Sequence, residues 1–554
     1  MSRRRTEFGT PLPTQPRSAH SVLILEPTLG FSLNQPETDL EPGNTPDSRN
    51  YAMQEGALKL RPTLSAYTSN ENPVGPLTGG RPIISSNASF YTLVSGATQL
   101  AYYSAGSWSS PLSYVSSNAI STPYSATSLE FTDMTQVYDP VNDDMLALVA
   151  SQSYQTLLTW APEAAVFSSV TGAPRARYVE TFDNFVMALN VRDSNPSNES
   201  RYVQRVQWSD RGDPMQWDAT VANSLAGFED LLDAKGEGTR LVNAENRVVV
   251  FFEDEIWQGY RTTGATSFAF SALDRTIGSP YPWTVIQTPV GIFFLGRDLM
   301  VYLLAKGATQ ATPVGYPVQR WLRGRMDVPA NAWGVYDPDG RTYQLWYPKR
   351  GIADTASEAV FLNVAENSWA SQSTEHNAET FLLHRGFTAY NATADASITY
   401  ADLASGGETY NSVASTFADM DGSAAFAGRV IAAGTSNGTI CYFSNGTTDL
   451  GVSIGALWRS HAMGSDTPDE GKVLQEVRID YQSDSLATIA VSASRDQGAT
   501  YDTAVVVTLE QAAQQSTAVA HLYSHSRYPT FKVECESQGA KLYRFWAKMR
   551  RGGR

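Results

Sequence analysis

The chain has 554 residues, more than a single simple core can organise, so it must hold several domains or a repeat architecture. Its formal net charge is −15, and only 18% of its residues are charged. That balance argues against a protein that grips nucleic acid through its phosphates, while leaving room for one that DNA slides past, because an acidic wall repels phosphate. The two cysteines, Cys441 and Cys535, are expected to be free and buried, and no apolar run approaches the ~20 residues of a membrane span.

In chain order, residues 1–50 read as an extended proline-rich arm. Pro11, Pro13, Pro16, Pro27, Pro36, Pro42 and Pro46 interrupt any regular structure. From Tyr51 a compact phrase runs to Pro62, with a turn at Gly56 and the alternating pair Leu58 and Leu60. From about residue 83 to residue 443 the chain is a succession of short alternating apolar runs separated by turn residues, the texture of a sandwich, barrel or propeller. Residues 225–235 and 509–516 are the best helical candidates, and both are short.

An internal echo selects the propeller. Val137-Tyr138-Asp139-Pro140 and Val335-Tyr336-Asp337-Pro338 each end one strand and lead through a polar tip into a returning apolar strand. Similar hairpins far apart in one chain suggest repeated blades. After about residue 455 the strands lengthen. The expectation is therefore an all-β chain with three parts: the arm at 1–50, a β-propeller with inserted loops at 51–455, and a β-sandwich-like region or propeller-closing strands at 456–554.

The stretch 205–217 is an alternating strand that ends in a sharp turn between two tryptophans. Gly212 suits positive φ, and Asp213-Pro214 disfavours helix. Trp208, Asp210, Gly212, Asp213, Pro214 and Trp217 are its candidate structural residues. The tripeptide Arg211-Gly212-Asp213 belongs to this turn and is not read as an adhesion signal. A second turn, Ser494-Arg495-Asp496-Gln497-Gly498-Ala499-Thr500-Tyr501, has the S-x-D-x-G-x-T-aromatic spacing of an Asp-box. Ser494, Asp496, Gly498, Thr500 and Tyr501 are expected to tie down a hairpin rather than to catalyse.

The remaining motifs point away from specific chemistry. Gly434-Thr435-Ser436-Asn437-Gly438 matches G-x-S-x-G, but a strand follows it where a nucleophile elbow requires a helix. His521 and His525 lack the companions of a metal site, and no glycine-rich nucleotide loop is present. The expectation is a protein that is not an enzyme and that uses no cofactor or metal.

Two phrases together resemble the tail nozzle proteins of short-tailed bacteriophages, the tail tubular protein B-like or packaged-DNA stabilisation family. Gln54-Glu55-Gly56-Ala57-Leu58-Lys59-Leu60-Arg61-Pro62 is similar to its G-x-L-x-x-R-P phrase. Val206 to Trp217 is similar to its W-S-D-x-G-D-P-x-x-W phrase. The resemblance implies a propeller with added domains, assembled as a homohexamer in the virion tail below the adaptor and portal. Genomic DNA would pass through the lumen without tight binding, and tail fibres or spikes would be seated on the ring. It does not locate the gate. Alternative readings are a carbohydrate-binding or sialidase-like propeller of a tail spike and another baseplate or adhesion component.

Overall fold

The computed structural model describes residues 20–551 apart from 28, 62, 67–73, 75–76, 87–88, 97–98, 105–106, 116–130, 142, 152–153, 196–199, 245, 264–266, 328, 338–340, 352–355, 386–428, 436–439, 445–447, 450, 465–469 and 536–538. Strand makes up 58% of the described residues and helix 4%, so the class is all-β. Two compact units are present. One comprises residues 1–30, 35–60 and 455–554; the other comprises 31–34 and 61–454.

The larger unit is a β-propeller. Five antiparallel sheets follow one another along the chain, starting with Gly79–Ile84, Thr132–Asp139, Arg175–Phe182, Gly238–Ala244 and Ile286–Thr288. Each is a meander whose consecutive strands pair. Ser113–Val115 adds a parallel strand to the outer edge of the second blade. A sixth blade is built from Trp333–Asp337, Thr342–Pro348, Ala356–Asn363 and the first half of the long strand Ser368–Arg385. The second half of that strand opens a seventh blade with Arg429–Thr435 and Ile440–Ser444. The outer strand of this last blade is Thr63–Ala66, from the beginning of the unit. This pairing joins the two ends of the propeller segment in one sheet and covers an edge that would otherwise be open.

Strand periodicity explains how the blades stack. Successive side chains of a strand point to opposite sheet faces, and here both faces are buried. In Phe185–Arg192 of the third blade, Val186 and Ala188 pack towards the second blade, whereas Phe185, Met187 and Leu189 pack towards the fourth. In Gly291–Leu295 of the fifth blade, Ile292 and Phe294 face the fourth and Phe293 and Leu295 face the sixth. The second strands of the blades are therefore almost continuously apolar. The Val-Tyr-Asp-Pro echo falls on the first strands of the second and sixth blades, as repeated blades require.

The smaller unit is a β-sandwich. One sheet orders Tyr51–Gln54, Ala57–Leu60, Ala540–Arg551, Lys472–Ser483 and Ala512–Ser526, and His20–Leu25 also pairs with Ala540–Arg551. The other sheet contains Asp47–Arg49, Ala456–Arg459, Thr530–Cys535, Ala487–Ser494 and Val505–Leu509. Phe545 of the first sheet stacks on Trp458 of the second at 4.6 Å and meets Phe531 at 5.9 Å.

Several expectations are corrected. Residues 20–25 and 47–49 of the expected arm are sandwich strands, because edge pairing satisfies backbone that the prolines keep out of helices. The start of the arm, 1–19, lies outside the described residues. Residues 51–60 group with the sandwich, not the propeller. The C-terminal strands form the sandwich, and Thr63–Ala66 closes the propeller instead. Neither helical candidate is a helix. Residues 225–235 contain the strand Gly227–Asp230, and 509–516 span the end of the strand Val505–Leu509 and the start of the strand Ala512–Ser526.

The α-helix among the described residues is Tyr316–Arg325, with Pro317 in its first turn and Arg323 and Arg325 in its last, where cations complement the helix dipole. It buries Val318, Trp321 and Leu322, the i, i+3, i+4 stripe. Cys535 is buried, forms no disulfide, and its thiol lies 3.6 Å from the Thr488 carbonyl oxygen. Among the described residues, no helix is long and apolar enough to cross a membrane.

Candidate functional site

The first strands of the blades pack side by side, as between the first, second, third and fourth blades and between the seventh and first. They carry a polar network. Asp133 of the second blade accepts the Val179 backbone N–H of the third at 3.1 Å and pairs with Arg240 of the fourth at 2.8 Å. Glu180 accepts the Thr135 hydroxyl at 3.2 Å and lies 3.8 Å from Arg81. Each of these carboxylates thus bridges consecutive blades and has a cationic neighbour.

One end of this axis is filled by aromatic rings. Phe131 of the second blade lies 5.5 Å from Trp283 and 4.5 Å from Trp333, which belong to the fifth and sixth blades. The two indoles lie 5.1 Å apart, and the Arg240 guanidinium lies 5.0 Å from the Trp283 ring. Rings in contact across the axis leave no passage there for a macromolecule.

A second polar cluster surrounds Tyr154. The guanidinium groups of Arg177, Arg192 and Arg201 lie 5.4, 4.6 and 5.2 Å from its ring. Its hydroxyl donates to Asn190 Oδ1 at 2.6 Å, and Glu237 accepts from Asn190, Arg177 and Arg201. Burial raises the Tyr154 pKa, and the neighbouring arginines oppose that shift.

The turn at 208–217 is held by its own polar groups. Asp210 Oδ1 accepts the backbone N–H groups of Arg211 and Leu225 at 2.7 and 2.9 Å. Asp213 Oδ1 accepts that of Met215 at 3.0 Å, and Trp217 Nε1 donates to the Pro214 carbonyl. Gly212 takes φ +73° and donates to the Asn184 carbonyl. Trp208 donates to the Leu225 carbonyl, and its ring lies 5.1 Å from that of Phe268.

In the sandwich, Ser494 Oγ accepts the Gly498 N–H at 2.8 Å, and Gly498 has φ +90°. Asp496 accepts both the backbone N–H and the hydroxyl of Thr500, at 2.7 and 2.6 Å. Those bonds hold the Asp496 pKa down at about 2. Lys532 Nζ stands 4.6 Å from the centre of the Tyr501 ring. The two turns lie in different units. Gly434 and Thr435 end one strand of the seventh blade and Ile440 begins the next; Ser436, Asn437 and Gly438 lie outside the described residues. His521 Nδ1 lies 3.8 Å from Glu476, and among the described residues no three His, Cys, Asp or Glu groups converge as a metal site.

The sequence reading missed a cavity of about 870 Å³ whose walls come from the fourth, fifth and sixth blades. Asn246, Arg247, Tyr260, Gln287, Lys306 and Tyr336 lie on it. Its lining residues are scattered over about ninety positions. The available signal was Arg247, a charge at the head of the apolar strand Arg247–Phe252.

No family model and no curated protein matches the chain. Among solved structures, it is similar to an exo-β-1,3-galactanase from Phanerochaete chrysosporium at 10% identity, covering 88% of this chain and 99% of that one, with a TM-score of 0.27. It is similar to YCF48 bound to D1 peptide at 9% identity, covering 69% and 100%, with a TM-score of 0.33. A third is an arabinoxylan arabinofuranohydrolase from Bacillus subtilis, at 9% identity, covering 90% and 96%, with a TM-score of 0.22. Glycoside hydrolases among these structures overturn the expectation that the chain is not an enzyme. At such identities the likeness assigns no reaction and no substrate.

Proposed function

We propose that the chain is a structural subunit of a phage tail nozzle. It would act as a homohexamer in the virion, seated on the adaptor and portal complex, with tail fibres or spikes attached and genomic DNA passing through the lumen. The observation that carries this reading is where the two family-like phrases fall. In the first, Arg61 is buried and pairs with Asp449, at the point where the chain enters the propeller unit. In the second, Trp208 and Trp217 are buried and anchor the third blade on both faces. Both phrases thus hold positions on which the fold depends, as family-defining phrases do.

The charge and the plugged axis add support. An acidic wall repels phosphate and lets a duplex slide. With Phe131, Trp283 and Trp333 in contact across the propeller axis, the DNA duct belongs between copies, not inside one. Electron microscopy of the purified protein tests this: a six-fold ring with a central channel wide enough for a duplex is expected. A protein that stays monomeric at high concentration and cleaves glycans would overturn the reading in favour of a carbohydrate-processing propeller.

A further inference from the structure

The buried Arg61 is paired with Asp449, and the half-buried Arg240 has Asp133 at 2.8 Å. Arg247 differs from these two. It is 9% exposed; its Nη1 donates to Gln258 Oε1 at 2.7 Å and its Nη2 to the Ala308 carbonyl at 3.2 Å, both neutral acceptors. Among the described residues no carboxylate pairs with it. A buried charge without a counter-charge is costly, and a guanidinium has five N–H donors, so these two bonds leave others unused.

Arg247 lines the cavity of about 870 Å³, and no Asp or Glu occurs among the described lining residues. The site is also held in place. Tyr260 donates its hydroxyl to the same Gln258 oxygen at 2.8 Å, so one amide fixes both the guanidinium and the ring. Asn246 and Gln287 carry side-chain amides that make no hydrogen bond among the described residues. Tyr336 supplies a second aromatic wall.

We propose that this cavity binds a small carboxylate-bearing sugar. Its carboxylate sits on the free N–H edge of Arg247, its ring packs on Tyr260 and Tyr336, and its hydroxyls meet Asn246 and Gln287. The Arg247 guanidinium, whose partners are neutral, matches a carboxylate, and Lys306 is the other cation of the lining. The array of neutral amides suits a polyhydroxylated ring.

The test is calorimetric titration of the full-length protein with glucuronate and with N-acetylneuraminate, using glucose and inorganic phosphate as comparators. At least one acidic sugar should bind saturably, glucose should not, and R247Q should weaken binding by tenfold or more. Because Arg247 is buried, Q287A gives a second variant that leaves the charge in place, with a weakening of severalfold expected. The melting temperature of ligand-free R247M should be unchanged or raised, since the variant removes an uncompensated charge; a merely structural arginine would lower it. Failure of both acidic sugars to bind overturns the proposal. So does binding of phosphate alone, or sugar binding undiminished in both R247Q and Q287A.

Discussion

Trp208 and Trp217 lie on opposite faces of the third blade. Trp208 packs with Phe268 and the core shared with the fourth blade, and Trp217 packs with the core shared with the second. Each is 4% exposed. Truncation of either to Ala should destabilise the propeller by about 3–5 kcal/mol, the range for a buried large aromatic. Denaturant unfolding monitored by fluorescence gives the loss. A change of less than ~1 kcal/mol for either variant would show that its contact is dispensable.

The Arg61–Asp449 pair predicts a different signature. Both side chains are buried, with Nη1–Oδ1 at 3.1 Å and Nη2–Oδ2 at 2.5 Å. Replacing Arg61 with Met leaves a buried carboxylate without its guanidinium and should cost about 3–5 kcal/mol. The double variant R61M/D449L should recover much of that loss, because it removes both desolvation penalties. A double-mutant cycle on unfolding midpoints measures the coupling. Additive losses would mean that the pair does not act as a unit.

His461 and Asp496 contribute to the acid sensitivity of the sandwich, alongside Glu55 and Glu476, whose pKa values are also lowered. Burial lowers the His461 pKa, so the unfolded chain takes up the proton first, near its ordinary value of about 6.5. The stability linked to His461 is present above that pH and falls away below it. Asp496 is held at about 2 by Thr500 and Ser494, below the ordinary carboxylate value of about 3.9. Its contribution is present above about pH 4 and is lost as pH falls towards 2. Unfolding midpoints measured from pH 8 to pH 2 should decline in two stages. H461Q should remove the first stage, and D496N should shrink the second.

What the sequence disclosed follows from the range of the interactions involved. The turn at Gly56 was legible because Glu55 and Gly56 take positive φ, +57° and +72°, in a tight turn between strands that pair with each other. The turn at Gly212 and the Asp-box were legible for the same local reason. The closing strand Thr63–Ala66 was not, because its partner Ile440–Ser444 lies at the far end of the propeller segment. Residues 225–235 read as a helix from their Leu, Ala and Lys content. Pairing decides otherwise: Gly227 sits opposite Trp208, and a Cβ there would lie 3.1 Å from the indole. The true helix, Tyr316–Arg325, was hidden by Pro317 and Gly324 within only ten residues. Arg247 stood out only as a charge at the head of an apolar strand; its lack of a counter-charge is a property of three dimensions.

The N-terminal strand gives the last prediction. Reading 1–50 as an arm leads one to expect that its removal weakens assembly more than folding. In the described part, the structure ties residues 20–25 into the fold itself. His20–Leu25 pairs in register with Ala540–Arg551, from His20 opposite Arg550 to Leu25 opposite Phe545. Leu25 is buried while Val22 and Ile24 are exposed, the alternation of a strand with one covered face. Deleting residues 1–25 strips this cover and leaves the backbone of 545–550 unpaired along that edge, a template for association with other chains. The truncated protein should lose sandwich stability and aggregate at concentrations where the full chain stays dispersed. Deleting only 1–19 keeps the strand and should leave the melting temperature within a few degrees of the full chain. Thermal scans with light scattering on the two truncations separate these outcomes. Equal behaviour of both would show that the His20–Leu25 pairing adds nothing to the stability of the sandwich.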